Sequence, residues 1–155
     1  MKLIRYIALA LAALSLWACG SDGCTENTVA YAVASIEAGE GSAGVKPSSV
    51  AVYGIGRTPD SLMTSATSLT GLSLMLNPDT TVTRLEFVFR VSADTIRDTL
   101  TVLYSNRLFF LSIDCGCTVV SDIDTVLHTS HYVNSVQVIN PEVTNEKKQN
   151  ILLYY

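Results

Sequence analysis

Three residue pairs in this chain have types and spacings that could do chemistry: Asp122 with Asp124, His128 with His131, and Cys115 with Cys117. An Asp-x-Asp step puts both carboxylates on one side of an extended segment. There they could hold Ca²⁺ with carbonyl oxygens, or divide acid and base work as in a hydrolase. No Asp-x-Asp-x-Asp-Gly loop surrounds them, and a solvated turn uses the same residues. Imidazoles at i and i+3 chelate from a helix. In a loop between strands they do not converge, and no Glu or third His lies near them. Two thiolates are too few to close a zinc site, and redox pairs place two residues between the thiols, not one.

Other patterns are weaker still. No Gly-x-Ser-x-Gly nucleophile elbow is present. Gly54-Ile55-Gly56 lacks the third glycine and the following helix of a dinucleotide loop, so a tight turn or bulge is expected there. Asp94 and Asp98 flank Arg97 and are expected to form local salt links of small value. Tyr31, Tyr53, Tyr104, Tyr132, Tyr154 and Tyr155 are candidates for a sugar-stacking platform, with half-buried strand positions as the plain alternative. The chain therefore reads as a non-enzyme, with no catalytic residue, metal ligand or cofactor assigned.

The front of the chain reads as an address. Lys2 and Arg5 precede an uncharged stretch over 6–18. As a helix that stretch rises roughly 20 Å, short of the ~30 Å hydrocarbon core, so it suits a secretory leader rather than a spanning segment. Leu16-Trp17-Ala18-Cys19 resembles a bacterial lipobox, with Leu at −3, a small residue at −1 and Cys at +1. The resemblance implies cleavage before Cys19, diacylglycerol on its sulfur and N-acylation. Several acyl chains at ~0.8 kcal/mol per buried CH₂ hold a chain firmly at a bilayer. Gly20 is not an Asp, so no inner-membrane retention signal is expected, and the outer membrane follows. One acid, Asp22, near the lipid leaves the membrane face open.

An exported chain meets oxidising conditions. With Cys19 lipidated, Cys24, Cys115 and Cys117 leave room for one disulfide and one odd thiol. A bridge between Cys115 and Cys117 would be strained, so a long-range bridge from Cys24 is expected. Cys115 is the preferred partner and Cys117 the alternative. Closing so long a loop is worth up to ~4–5 kcal/mol in the chain-entropy picture.

What must carry these groups is a β-rich body. The chain has 155 residues, enough for one domain with a real core. Its 16 Val, 16 Ser, 16 Thr and 11 Tyr and Phe form a β-leaning inventory. A hydrophobic share of 48% with 15% charged residues argues against disorder, and a net charge of −4 against nucleic-acid binding. Short apolar runs broken by turn residues every 8–14 positions are expected of an all-β protein. The clearest strand is 81–91: Leu85, Phe87, Phe89 and Val91 share one face, and Arg84, Glu86 and Arg90 the other.

The run 71–76 alternates likewise, and Asn77-Pro78-Asp79-Thr80 is a turn. Leu100, Val102 and Tyr104 share a face of the next strand. The nearly continuous apolar run 108–113 reads as a strand covered on both sides. Further strands are expected over 29–36, 49–55, 117–121, 135–139 and 151–155. The segment 59–69 reads as an irregular crossover, 39–44 as a flexible loop and 140–148 as a polar loop. The expected whole is a single antiparallel β-sandwich of about 8–9 strands over 28–155, after a cleaved lipoprotein signal peptide over 1–18 and a tether over 19–27.

The order of signals is also familiar. Val52-Tyr53-Gly54-Ile55-Gly56, Leu74-Met75-Leu76-Asn77-Pro78 and Cys115-Gly116-Cys117, behind a lipobox, resemble a family of short, uncharacterised Bacteroidetes lipoproteins known only as a domain of unknown function. The resemblance covers most of 24–155. It implies a cell-envelope location, a β-rich fold and an outer-membrane barrel or other envelope protein as partner. The functional expectation is an outer-membrane-anchored binding or assembly module, attached to the membrane through lipid on Cys19. The alternative is a glycan-binding sandwich using exposed Tyr residues.

Overall fold

The computed structural model describes residues 23–41, 44–56 and 62–155. The expected leader and Cys19 lie outside them. The described residues form ten strands and no helix. In chain order these are β1 (Ala32–Glu37), β2 (Ser49–Gly54), β3 (Leu62–Ala66), β4 (Leu72–Leu74), β5 (Val82–Val91), β6 (Asp94–Ser112), β7 (Gly116–His128), β8 (Ser135–Val138), β9 (Glu142–Val143) and β10 (Gln149–Tyr154). They build two sheets, ordered β4-β1-β10-β8 and β3-β2-β5-β6-β7-β9.

Period-2 alternation makes the core. Leu85, Phe87 and Phe89 of β5 and Leu100, Val102 and Tyr104 of β6 turn inward from the larger sheet. Ala32, Ala34, Ile36, Leu72, Leu74, Ile151 and Leu153 meet them from the smaller one. Each large side chain fully buried here stabilises the fold by roughly 1.5–3 kcal/mol relative to exposure. Arg84 and Arg90 face solvent from the other side of β5, as the alternation requires.

The all-β sandwich expected from the sequence is what the chain forms, with three differences. The strand count exceeds the eight or nine expected. Residues 62–66, read as part of an irregular crossover, pair with β2, and Glu142–Val143 pair briefly with β7 inside the polar loop. The strand expected around Leu100, Val102 and Tyr104 and the one expected over 108–113 are a single strand, β6, carried across Asn106-Arg107 by continuous pairing with β7. The sheets are also not purely antiparallel, because β1 and β10 run parallel. Neither follows a hairpin, and each reaches its neighbour from an opposite end of the sequence.

That parallel pair contains a bulge. Val33 pairs with Gln149 and Ala34 with Ile151, so Asn150 is skipped. Its buried side chain replaces the missing ladder contact. Oδ1 accepts from the Val33 N–H at 2.9 Å, and Nδ2 donates to the Asn140 and Glu142 carbonyls at 3.0 and 2.8 Å. One amide thus ties β1 to the β8–β9–β10 corner.

Tyr104 has a similar job. It is 1% exposed. Its hydroxyl hydrogen-bonds Thr83 Oγ1 at 2.6 Å and meets the Asn77 N–H and carbonyl at 3.0 and 2.8 Å, which pins the 77–80 turn. Tyr104 therefore belongs to the core and not to a sugar platform. Tyr104→Phe is expected to lower unfolding free energy by about 1 kcal/mol, the net value of one such bond. Urea midpoints at constant m-value check this.

Candidate functional site

The longest hairpin divides the molecule into two ends. β5 pairs with β6 only over Val82–Val91, opposite Leu103 to Asp94. Tyr104 N–H still donates to the Thr81 carbonyl, and from Ser105 onward β6 continues with β7 as its one paired strand, to a turn over Ile113, Asp114 and Cys115. Gly116 closes that turn at φ 71°, a conformation that a side chain would strain.

The run 108–113 was expected to be covered on both sides. It is not: Leu108 is 77% exposed, Phe110 60% and Ile113 92%, with Phe109 also open. The physical reason is length. β6 outruns its β5 neighbour, so its distal part has no sheet beside it on that edge. Val29 and Met75 add to the same region. They line a groove of ≈ 330 Å³ with Leu76, Val119 and Cys117. Cys117 and Val119 pair across the ribbon with Phe110 and Leu108, so groove and ribbon are one surface. Six of the twelve large exposed hydrophobic side chains among the described residues lie here, which makes this a patch and not scatter.

The bridge ends at this tip. Cys24 is joined to Cys115, with Cα atoms 4.7 Å apart and 91 positions between them in sequence. Cys117 is free and exposed. Thr118 Oγ1 donates to the Thr28 carbonyl at 2.6 Å, which lays the N-terminal segment along β7.

The other end is organised by Asp98. Sequence reading set it beside Arg97 in a local ion pair. The structure corrects this. Asp98 lies two residues before Leu100 and shares its inward face, at 4% exposure, while Arg97 points outward and meets Glu86 at 2.8 Å. Asp94 stands exposed at the start of β6.

The buried carboxylate collects the connection that crosses from β7 to β8. Oδ1 accepts from the Thr129 hydroxyl at 2.6 Å and the His131 N–H at 2.9 Å. Oδ2 accepts from the Tyr132 and Val133 N–H groups at 2.8 and 2.9 Å. Burial alone would push this carboxyl up. The bonds from Thr129, Val133, His131 and Tyr132 together outweigh burial and hold it below its ordinary value.

Held this way, Tyr132 stacks between Phe89 at 4.8 Å and Tyr155 at 5.4 Å. Burial, then the charge of Tyr155, pushes the Tyr132 phenol up to about 12. Its hydroxyl donates to the Val45 carbonyl at 2.7 Å. A cleft of ≈ 540 Å³ opens beside it, lined by Tyr132, Tyr154, Tyr155, His131 and Asn134. Two of its three tyrosines are packing residues: Tyr155 is buried and Tyr132 is sandwiched. Tyr31, Tyr53 and Tyr154 are each half-buried, and the six candidates form no single platform.

The remaining candidates separate. Asp122 meets Arg107 at 3.2 Å, and the same guanidinium reaches Glu142. Asp124 is exposed. His131 Nδ1 lies 3.0 Å from Asp98 Oδ1, and His128 Nδ1 contacts the Thr129 carbonyl at 3.0 Å, so the imidazoles have different partners. Gly54 ends β2, and Gly56 follows in a turn at φ 85°. Among the described residues, no three His, Cys, Asp or Glu side chains are placed to hold a metal, and no helix is long and apolar enough to cross a membrane.

Sequence reasoning missed Asp98 and the open tip. Period 2 from Leu100 could have found the first. The second had a signal in charge: between Arg107 and Asp122 only Asp114 is charged.

A family model described as a family of unknown function (DUF6452) matches residues 49–155, which takes in β2 to β10 and the whole hairpin. No curated protein and no solved structure matches the chain.

Proposed function

As a member of DUF6452, a family of unknown function, the chain must be interpreted from its own residues, and we propose that it is a non-enzymatic, outer-membrane-anchored lipoprotein that binds or assembles another envelope protein. Its resemblance to short Bacteroidetes lipoproteins, the lipobox at Cys19 and the Cys24–Cys115 bridge, which suits an oxidising compartment, support the location. The leader over 1–18 is removed, and the acyl chains on Cys19 hold the sandwich at the bilayer.

The observation that carries the binding reading is the edge of β8. It ends the smaller sheet, pairs with β10 alone among the described strands, and bears no charge in Ser135–Val138. Sheet edges are normally blunted by charge, Pro or bulges, and an unblunted one accepts an added strand. An outer-membrane barrel or another envelope protein with an extended segment fits this edge. Glycan capture is the second reading, and the cleft containing half-buried Tyr154 is what favours it.

A photo-crosslinking residue in place of exposed Gln137 of β8, in whole cells, tests the reading, with exposed Arg90 on the other sheet as the control position. A discrete adduct to an envelope protein from position 137 and not from position 90 is expected. Equal labelling from both positions, or adducts to polysaccharide alone, would overturn it. The anchor is tested in the same cells: Cys19→Ser should move the chain from the membrane fraction to the soluble one, and unchanged fractionation would remove the lipid.

A further inference from the structure

We infer that the apolar tip of the β6–β7 hairpin is a second membrane contact, seated in the headgroup boundary of the same bilayer that the acyl chains on Cys19 enter. The inference rests on the lipid-anchor reading and deepens it. Three observations on the molecule converge.

The first is the tip itself. Leu108, Phe109, Phe110 and Ile113 are exposed together on a two-stranded ribbon that projects past the sandwich. The second is the bridge. Cys115, inside the tip turn, is covalently bound to Cys24. Cys19 is five residues earlier, and five residues of fully extended chain span at most ~18 Å. The acyl chains are thereby confined to the neighbourhood of Ile113, whatever path residues 20–23 take. The third is charge. Asp114 is the one ionisable side chain from Leu108 to Ser121 apart from the free Cys117, and no cation lies in that run. Such a surface gains from apolar burial and not from anionic headgroups, and a contact that sinks only ~5–10 Å into the headgroup/acyl boundary leaves Asp114 at the turn within reach of the polar headgroup layer.

This contact orients the molecule. The tip and Cys24 face the bilayer, while Asp98, the Tyr132 cleft and the start of β8 lie toward the opposite end. Ser112 lies fourteen positions after Asp98 along β6, a run on the order of 45 Å if straight.

The test uses the full processed chain reconstituted in phosphatidylcholine vesicles with brominated acyl chains. The only Trp in the sequence is Trp17, within the leader, so Ile113→Trp and Leu127→Trp each place one reporter in the processed protein. Both positions are exposed, and Leu127 sits at the far end of β7, so neither disturbs the core. Leu108→Trp repeats the tip measurement independently.

The expected result is that the tip reporters lose most of their emission to bromine, on zwitterionic vesicles and at high salt alike, while Leu127→Trp keeps its emission. A chain that floats with the vesicles while neither reporter is quenched overturns the tip contact and leaves the anchor standing. A chain that fails to float removes the anchor, and the tip contact with it. Tip emission that shifts to the blue without bromine quenching means that a second copy covers the tip, which also overturns the inference. Equal quenching at both positions refutes the orientation.

Discussion

Asp98→Ala is expected to cost about 3 kcal/mol of folding stability, because a buried donor left without its acceptor costs about 1–3 kcal/mol and this carboxylate serves several. The Thr129 hydroxyl and the N–H groups of His131, Tyr132 and Val133 all end on it. Thr129 Oγ1 in turn accepts from the Thr99 N–H at 2.8 Å, so β6 and the crossover lose two links at once. Asp98→Asn keeps one acceptor oxygen but turns an amide N–H toward backbone donors, so it is expected to lose less than alanine while remaining clearly destabilised. Chemical denaturation at pH 7 checks both. A loss well under 1 kcal/mol for alanine would mean that water takes over the carboxylate's role.

The same group sets an acid limit. Its folded value lies below the ordinary 3.8, so the stability it supplies is complete above the unfolded value and is lost as pH falls through the folded one. Denaturant midpoints measured from pH 6 down should fall below about pH 4. The fall should be visibly smaller in Asp98→Asn, which has no carboxyl at this position to protonate.

Cutting the bridge is the second large effect. Cys24→Ser with Cys115→Ser is expected to cost toward the upper end of the ~2–5 kcal/mol seen for native disulfides, since the closed loop runs over most of the described chain. Cys117→Ser belongs in both the parent and the variant, because an exposed thiol two residues from a freed Cys115 invites shuffling. The loss should be uneven. The sandwich keeps its core, while the ribbon beyond Tyr104 is left with one strand partner and little buried apolar surface. Hydrogen exchange should therefore speed up most in 105–119, and a uniform loss of protection would contradict the two-ended picture.

What was legible in the sequence follows from how local each signal is. β5 occupies Val82–Val91 where alternation placed 81–91, and Leu85, Phe87 and Phe89 face the core as that alternation requires. The turn over 77–80 was legible from Pro78, although its tie to Tyr104 was not. The run 108–113 was misread because a continuous apolar stretch has the same composition whether protein covers it or nothing does; only the length of the neighbouring strand decides. Asp98 was misread because nearby Arg97 invites a pair, while in a strand adjacent residues point to opposite faces. The β1–β10 pairing left no local mark: it joins residues some 117 positions apart and depends on a whole layer already being in place.

That last pairing has a consequence for how the chain matures. The first of the described strands, Ala32–Glu37, finds its parallel neighbour only in the last of them, Gln149–Tyr154. Until those residues arrive, the smaller sheet lacks its centre, and Ala32, Ala34 and Ile36 have no Ile151 or Leu153 to meet. The smaller sheet is therefore completed late, through a contact of high sequence separation with the slow rate that goes with it, although β1 can pair with β4 before then. Removing β10 alone would leave both β1 and β8 without the neighbour they share, so one six-residue segment holds the whole smaller layer together.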